Sequence, residues 1–236
     1  DFVTIEGSDV NHIKNVLRMK PGEKIRVCTR NGQNYFCSIS DITESFVRAD
    51  ILEKEAESTE LPCRIYLFQG LPKNDKMEWI IQKTVELGVY EVIPVAMKNC
   101  VVKLDDKKAK SKVTRWQAIA ESAAKQSKRS LIPEVKMPMS YKEAVAYAKK
   151  LDVKLVPYEN EHGMAGTKAA MEQIKKGESI AVFIGPEGGF APEEIALVQD
   201  EMQLISLGKR ILRTETAGIA ALAILGYQLE SSDMIE

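Results

Sequence analysis

An alternation of strand and helix patterns beyond residue 62 predicts an α/β domain, its sheet mostly parallel and covered by helices on both faces. Ahead of it, several short strands joined by tight turns predict a small β-barrel. Between the two lies Glu53-Lys54-Glu55-Ala56-Glu57-Ser58-Thr59-Glu60, polar, poor in apolar residues and closed by Pro62, which reads as a linker. The expected domains are therefore 1–60 and 61–236.

In the first part, Ser8 is a candidate N-cap for a helix over 9–19, with Ile13, Val16 and Leu17 on one face and Pro21-Gly22 ending it. Residues 24–29, 35–41 and 46–52 show partial alternation of apolar and polar side chains, with turns at Asn31-Gly32 and Thr43-Glu44-Ser45. In the second part, 64–69 is a strand and 75–87 a helix. There Asp75 and Glu78 have the spacing of a capping box, and Gly88 follows the last turn. Residues 90–97 read as a strand. A long basic helix covers about 110–125 on a stripe of Val113, Trp116, Ile119, Ala120 and Ala123. Ser140 and Glu143 open another helix, 153–157 is a strand, and 165–176 is helical. The strands 179–184 and 203–207 flank a helix with Pro192 in its first turn. The last helix, about 215–230, is apolar on nearly all sides and is expected to be buried in the domain or in a dimer interface.

The 236 residues carry a net charge of -1, with 44% hydrophobic and 28% charged residues, which excludes wholesale disorder. The longest apolar run, Ile219 to Leu225, is far shorter than the roughly 18 residues of a membrane span. The first residues, Asp1-Phe2-Val3-Thr4, include no Met and no secretion-signal pattern, and read as a trimmed start of a cytoplasmic protein without membrane association. Cys28, Cys37, Cys63 and Cys100 are widely spaced, and neither His12 nor His162 lies close to one, so no metal site is predicted. The near-zero net charge hides segregation. Residues 98–129 hold ten basic and three acidic residues, and 14–30 is a second basic stretch, whereas 177–208 contains six carboxylates and no Lys or Arg. Two local positive patches suit a polyanionic partner such as RNA.

Two turns carry the chemistry. Phe183-Ile184-Gly185-Pro186-Glu187-Gly188-Gly189-Phe190 ends a buried strand with three glycines and leads into a helix. It lacks the Lys-Ser/Thr of a P-loop and the spacing of a dinucleotide-binding loop, and its acidic surroundings suit a neutral or cationic ligand. In Ser206-Leu207-Gly208-Lys209-Arg210-Ile211-Leu212-Arg213-Thr214-Glu215-Thr216-Ala217 a strand again ends at glycine, now followed by three cations. Thr214 is a candidate cap of the helix that follows. Together the turns are expected to form one cleft for a cationic cofactor beside an anionic substrate.

These two turns, with Glu86-Leu87-Gly88, Glu121 through Arg129 with Pro133, and His12, Val16-Leu17-Arg18 and Gly22, resemble the RsmE family of 16S ribosomal RNA (uracil-N3) methyltransferases of the SPOUT superfamily. The resemblance implies a PUA-like barrel for 1–60, an RNA-binding domain. It also implies a SPOUT-like methyltransferase domain over 61–236, with a C-terminal trefoil knot and assembly as a homodimer. It implies S-adenosylmethionine as cofactor and N3 of a uridine in 16S ribosomal RNA, in the small ribosomal subunit, as substrate. The implied cofactor contacts are Tyr158, Ile184, Gly185, Gly188, Leu207, Gly208, Ile211, Leu212, Thr214 and Ala217, to which Glu187 is added as a negative charge suited to the donor's sulfonium. Arg213 and Glu215 are the candidate catalytic residues, because uracil N3 must lose a proton. Arg18, Arg26, Lys125, Lys128 and Arg129 are the candidate RNA contacts. The alternatives are a noncatalytic RNA-binding ribosome-assembly factor and a SPOUT methyltransferase acting on another RNA base.

Overall fold

The computed structural model describes residues 1–29, 33–55 and 58–232. The expected turn at Asn31-Gly32 and the linker residues Ala56 and Glu57 lie outside the described residues. The chain divides into two compact units, Asp1–Glu60 with Arg129–Leu131, and Leu61–Lys128 with Ile132–Glu236.

The first unit is a PUA-like antiparallel sheet of β1 (Phe2–Glu6), β2 (Lys24–Cys28), β3 (Asn34–Ile42) and β4 (Phe46–Lys54), in the order β1-β4-β3-β2. Strand β1 was not anticipated. Its five residues are held by register with β4, Phe2 opposite Asp50 and Glu6 opposite Phe46, a pairing made across some 40 residues of sequence. The expected helix 9–19 is shorter: α1 (Ser8–Asn11) passes into a single wide π-type turn, His12–Val16. Gly7 rather than Ser8 precedes it, and no side chain caps it. Val10, Ile13, Ile39 and Val47 form the small core. Strand β4 runs two residues into the expected linker, and Glu55 accepts Arg26 Nη2 at 2.6 Å.

In the second unit seven parallel strands form one sheet. They are β5 (Arg64–Gly70), β6 (Val89–Ala96), β7 (Glu134–Val135), β8 (Met139–Ser140), β9 (Val153–Pro157), β10 (Ser179–Ile184) and β11 (Gln203–Ile205). The order is β11-β9-β10-β5-β6-β7, with β8 also on β6. Between them run α2 (Lys76–Glu86), α3 (Asp106–Gln126), α4 (Tyr141–Ala148), α5 (Ala165–Glu172), α6 (Pro192–Val198) and α7 (Thr214–Ser232).

Strand periodicity sorts the core into two layers. Ile65 and Leu67 of β5 and Ile180, Val182 and Ile184 of β10 pack with α2, α3, α5 and α7. Tyr66 and Phe68 of β5 and Ala181 and Phe183 of β10 point the other way, onto α4 and α6. Phe68 and Phe183 stack with ring centroids 4.4 Å apart. A strand buried on both faces must read as a continuous apolar run, which is what Ile180 to Ile184 is.

Ser140 caps α4 through Glu143 N–H, with the Glu143 carboxylate returning to Ser140 N–H at 2.8 Å, as its spacing predicts. The capping box expected at Asp75 and Glu78 does not form, because Glu78 receives Arg115 from α3 at 2.8 Å. Helix α3 starts earlier than expected, where Asp105 accepts Lys108 N–H at 2.8 Å. Helix α5 stops at Glu172, short of the expected 176.

Candidate active site

Three neighbouring strands, β11, β9 and β10, run parallel, so their carboxyl ends emerge along one edge of the sheet. A cavity of about 660 Å³ opens there, lined from all three. Strand β9 delivers Pro157, Tyr158, Glu159, Glu161 and His162, and β10 delivers Ile184, Gly185, Pro186, Glu187 and Phe190. The segment after β11 delivers Ser206 through Thr214, and Ala217 on α7 closes the wall.

Of the expected cofactor contacts, Tyr158, Ile184, Gly185, Glu187, Leu207, Gly208, Ile211, Leu212, Thr214 and Ala217 line this one cavity. Gly188 does not. A Cβ placed there would sit 2.9 Å from Asn99 Cβ, and Asn99 Nδ2 donates to Gly188 O at 2.9 Å, so this glycine faces the loop after β6. Gly208 adopts φ 111°, a conformation that disfavours any side chain, and has no neighbour within 4 Å of its would-be Cβ.

A buried hydrogen-bond relay ties the glycine loop to α7. Thr214 Oγ1 donates to Gly185 O at 2.6 Å and accepts Gln69 Nε2 at 2.9 Å, while Gln69 Nε2 also donates to Gly70 O at 3.0 Å. The single Thr214 proton is committed to a carbonyl, so the Gln69 amide must turn its nitrogen to Thr214. Its oxygen then lies toward α7, where a Cβ on Gly218 would be 3.5 Å away, and it has no hydrogen-bond donor among the described residues. Thr214 was expected to cap the helix; its hydroxyl serves the relay instead. Gln69 was missed, since one Gln ending an apolar strand carries no sequence signal.

The charged groups differ from the expectation. Glu187, expected beside a cationic ligand, accepts Lys73 N–H at 3.0 Å and pairs with Lys76 Nζ at 3.1 Å. Burial pushes its carboxyl up, but backbone N–H donors and the Lys76 ammonium outweigh this and hold it below the ordinary carboxylate range. Glu215 is absent from the cavity lining and pairs with Lys76 at 3.1 Å. Arg213, Lys209 and Arg210 line the cavity and are exposed. Lys76 went unnoticed in the sequence because its partners lie more than 100 residues away.

Among the expected RNA contacts, Arg18 is exposed at φ 55° and Lys128 is exposed at φ 59°. Lys125 is exposed and pairs with Glu121 one turn back at 2.8 Å. Two others are committed within the first unit. Arg129 has 4% of its side chain exposed and pairs with Glu60, which also accepts Ser130 N–H at 2.9 Å. Arg26 and Glu55 are similarly enclosed, with 18% and 16% of their side chains exposed. Their charges are neutralised inside the protein and cannot release phosphate counterions as free cations do.

Residues 59–226 match the RNA methyltransferase domain family and residues 5–52 the RNA methyltransferase PUA domain. Over 231 residues the chain is 39% identical to ribosomal RNA small subunit methyltransferase E of Bacillus subtilis (strain 168), covering 96% of this chain and 90% of that protein. The chain belongs to the ribosomal RNA small subunit methyltransferase E family. It is 36% identical to the family member from Mesomycoplasma hyopneumoniae (strain 232), with 93% and 91% of the two chains covered. The crystal structure of the Neisseria gonorrhoeae member, bound to S-adenosyl methionine, superposes with a TM-score of 0.81 at 32% identity, over 96% of this chain and 92% of that one. Membership makes this protein an RNA methyltransferase, an enzyme whose site is to be sought at the sheet edge just described. Among the described residues no helix is long and apolar enough to cross a membrane.

Proposed function

We propose that this enzyme methylates N3 of one uridine in 16S ribosomal RNA, using S-adenosylmethionine held in the cavity at the ends of β9, β10 and β11. The observation that carries the reading is the convergence of three adjacent strand ends on one cavity of about 660 Å³, a size within the usual range for small-molecule sites.

The residues present fit this donor. Ile184, Leu207, Leu212 and Ala217 offer apolar walls for an adenine, and the open glycine backbone at Gly208 lets a ligand approach closely, while Gly185 lets its own loop pack back against Gly189 and Phe190. Glu159 and Glu161 add negative charge suited to a ligand bearing a sulfonium and an ammonium. When bound, S-adenosylmethionine supplies an electrophilic methyl group.

The N3 proton leaves to water, and the chain's own residues handle the charge. Uracil N3 is a weak acid whose anion spreads onto the ring oxygens, so a cation at the cavity stabilises it. Arg213 takes that role: it lines the cavity, and among the described residues no carboxylate pairs with it. Glu215, already bound to Lys76, orients that cation and the first turn of α7. Ile211, 86% exposed at the cavity, and Tyr227, 76% exposed on α7, leave apolar surface for a second copy of the chain, so the reading includes a homodimer. It also includes the trefoil threading of the C-terminal third, 1–60 as the RNA-binding domain, small-subunit RNA in the cytoplasm as the setting, and Arg18, Lys125 and Lys128 as RNA contacts.

The test is calorimetric titration with S-adenosylmethionine, followed by transfer of labelled methyl to naked 16S RNA and to small-subunit particles. Saturable binding and incorporation support the reading. RNA binding without donor binding would replace it with the assembly factor.

A further inference from the structure

Lys76 opens α2, and its ammonium meets two carboxylates from different elements, Glu187 in the cavity wall and Glu215 just behind it. It lies 3.1 Å from Glu187 Oε1, in the loop after β10, and 3.1 Å from Glu215 Oε2, in the first turn of α7. The three side chains are 28%, 26% and 18% exposed, so they are partly shielded from water. Glu187 Oε1 also accepts Lys73 N–H at 3.0 Å, which ties it to the loop that leads into α2. Lys76 itself lines the cavity. Without its charge, two carboxylates would face each other across the place of the ammonium.

We infer that Lys76 is a positioning residue, a charge clamp that holds the loop after β10 and the start of α7 at the separation the methyl donor requires. The inference rests on the methyl-donor reading of the cavity. Other charged groups around it have their own places. Glu159, Glu161 and His162 come from the end of β9, and Lys209, Arg210 and Arg213 from the segment after β11. At the start of α2, Asp75 just before it and Glu78 in its first turn are turned to Lys112 and Arg115 of α3, at 3.7 and 2.8 Å. No other cation pairs with Glu187 or Glu215 among the described residues.

A structural lysine and a charge clamp differ in how pH and second substitutions act. The full-length variants K76M, K76R and K76M/E187Q are titrated with S-adenosylmethionine at about pH 8 and about pH 5. K76M is expected to lose about tenfold in donor affinity at the higher pH and less at the lower, where protonation of one carboxylate relieves the repulsion. K76R, which keeps the charge, should stay within about threefold of the parent, and K76M/E187Q should recover most of the loss. Parent-like binding by K76M, or an equal loss with and without E187Q, overturns the clamp. The melting temperature of the ligand-free proteins provides a second readout. If the parent fails to bind donor, the methyl-donor reading falls. The clamp then stands if the melting deficit of K76M is larger at about pH 8 than at about pH 5, and falls if the deficits are equal.

Discussion

Thr214→Val removes one hydroxyl from the centre of the relay and leaves nearly the same shape. Thr214 is 6% exposed, so neither partner is simply handed to bulk solvent. Two groups lose their bonds: Gly185 O, now 2.6 Å from the hydroxyl, and one N–H of Gln69, now 2.9 Å away. A buried polar group left without a partner costs about 1–3 kcal/mol. Gly185 borders the cavity and can reach water, so its share is at the low end. The expected loss is about 2 kcal/mol, or a fall in Tm of about 4–8 °C for a chain of this size. Gln69→Leu should cost less than about 1 kcal/mol, since it also deletes the amide oxygen that has no donor among the described residues. In that background Thr214→Val should cost about 1 kcal/mol less than alone, because only Gly185 O remains to be stranded. Denaturant unfolding of the four proteins, with constant m values, checks the cycle. A Thr214→Val variant within about 0.5 kcal/mol of the parent, or strict additivity with Gln69→Leu, would refute the relay.

Arg213→Ala should slow methyl transfer about 100-fold while the calorimetric Kd for S-adenosylmethionine changes less than about threefold; equal losses in both would make Arg213 a binding residue. Arg129→Ala should destabilise the first unit by about 2–3 kcal/mol in denaturant unfolding, because Glu60 keeps its charge with 23% of its side chain exposed. The salt slope of RNA binding should not change in that variant, whereas losing an exposed contact such as Arg18 should lower it by about one ion. Glu187 has a depressed carboxyl, so its contribution is fully present above the ordinary value of 4.5 and is lost as pH falls through the lower folded value. Glu187→Gln should therefore be less stable than the parent at neutral pH, with the two unfolding curves converging as pH falls below the ordinary carboxylate range.

How far the sequence could be read depends on the range of the interaction concerned. The Ser140–Glu143 box, Pro192 at the start of α6 and the two-sided apolar run 180–184 are local devices, and the structure has them where their spacing puts them. Strand β1 and the two-residue strands β7 and β8 are defined by their partners, so Phe2–Glu6 carries no signal without β4. Asp75 and Glu78 have the right spacing for a cap, but α3 claims Glu78, a competition that only tertiary structure reveals. The cavity was legible as two glycine-bearing strand ends. Its third wall, Glu159 to His162 after β9, was visible only as Tyr158, and Gly188 lies outside the cavity lining, beside its loop partner Asn99. Arg26 and Arg129 read as free cations in a basic stretch because their carboxylates lie 29 and 69 residues away.

The central claim is that one cavity at the carboxyl ends of three neighbouring strands directs methyl transfer to a uridine of small-subunit RNA. Nucleoside mass spectrometry of 16S RNA from cells lacking this protein, before and after incubation with the pure enzyme and S-adenosylmethionine, tests it most directly. The account predicts that one N3-methyluridine is missing and returns with the parent enzyme but not with Arg213→Ala. An unchanged nucleoside profile, or a methyl group restored to a different base, would contradict it.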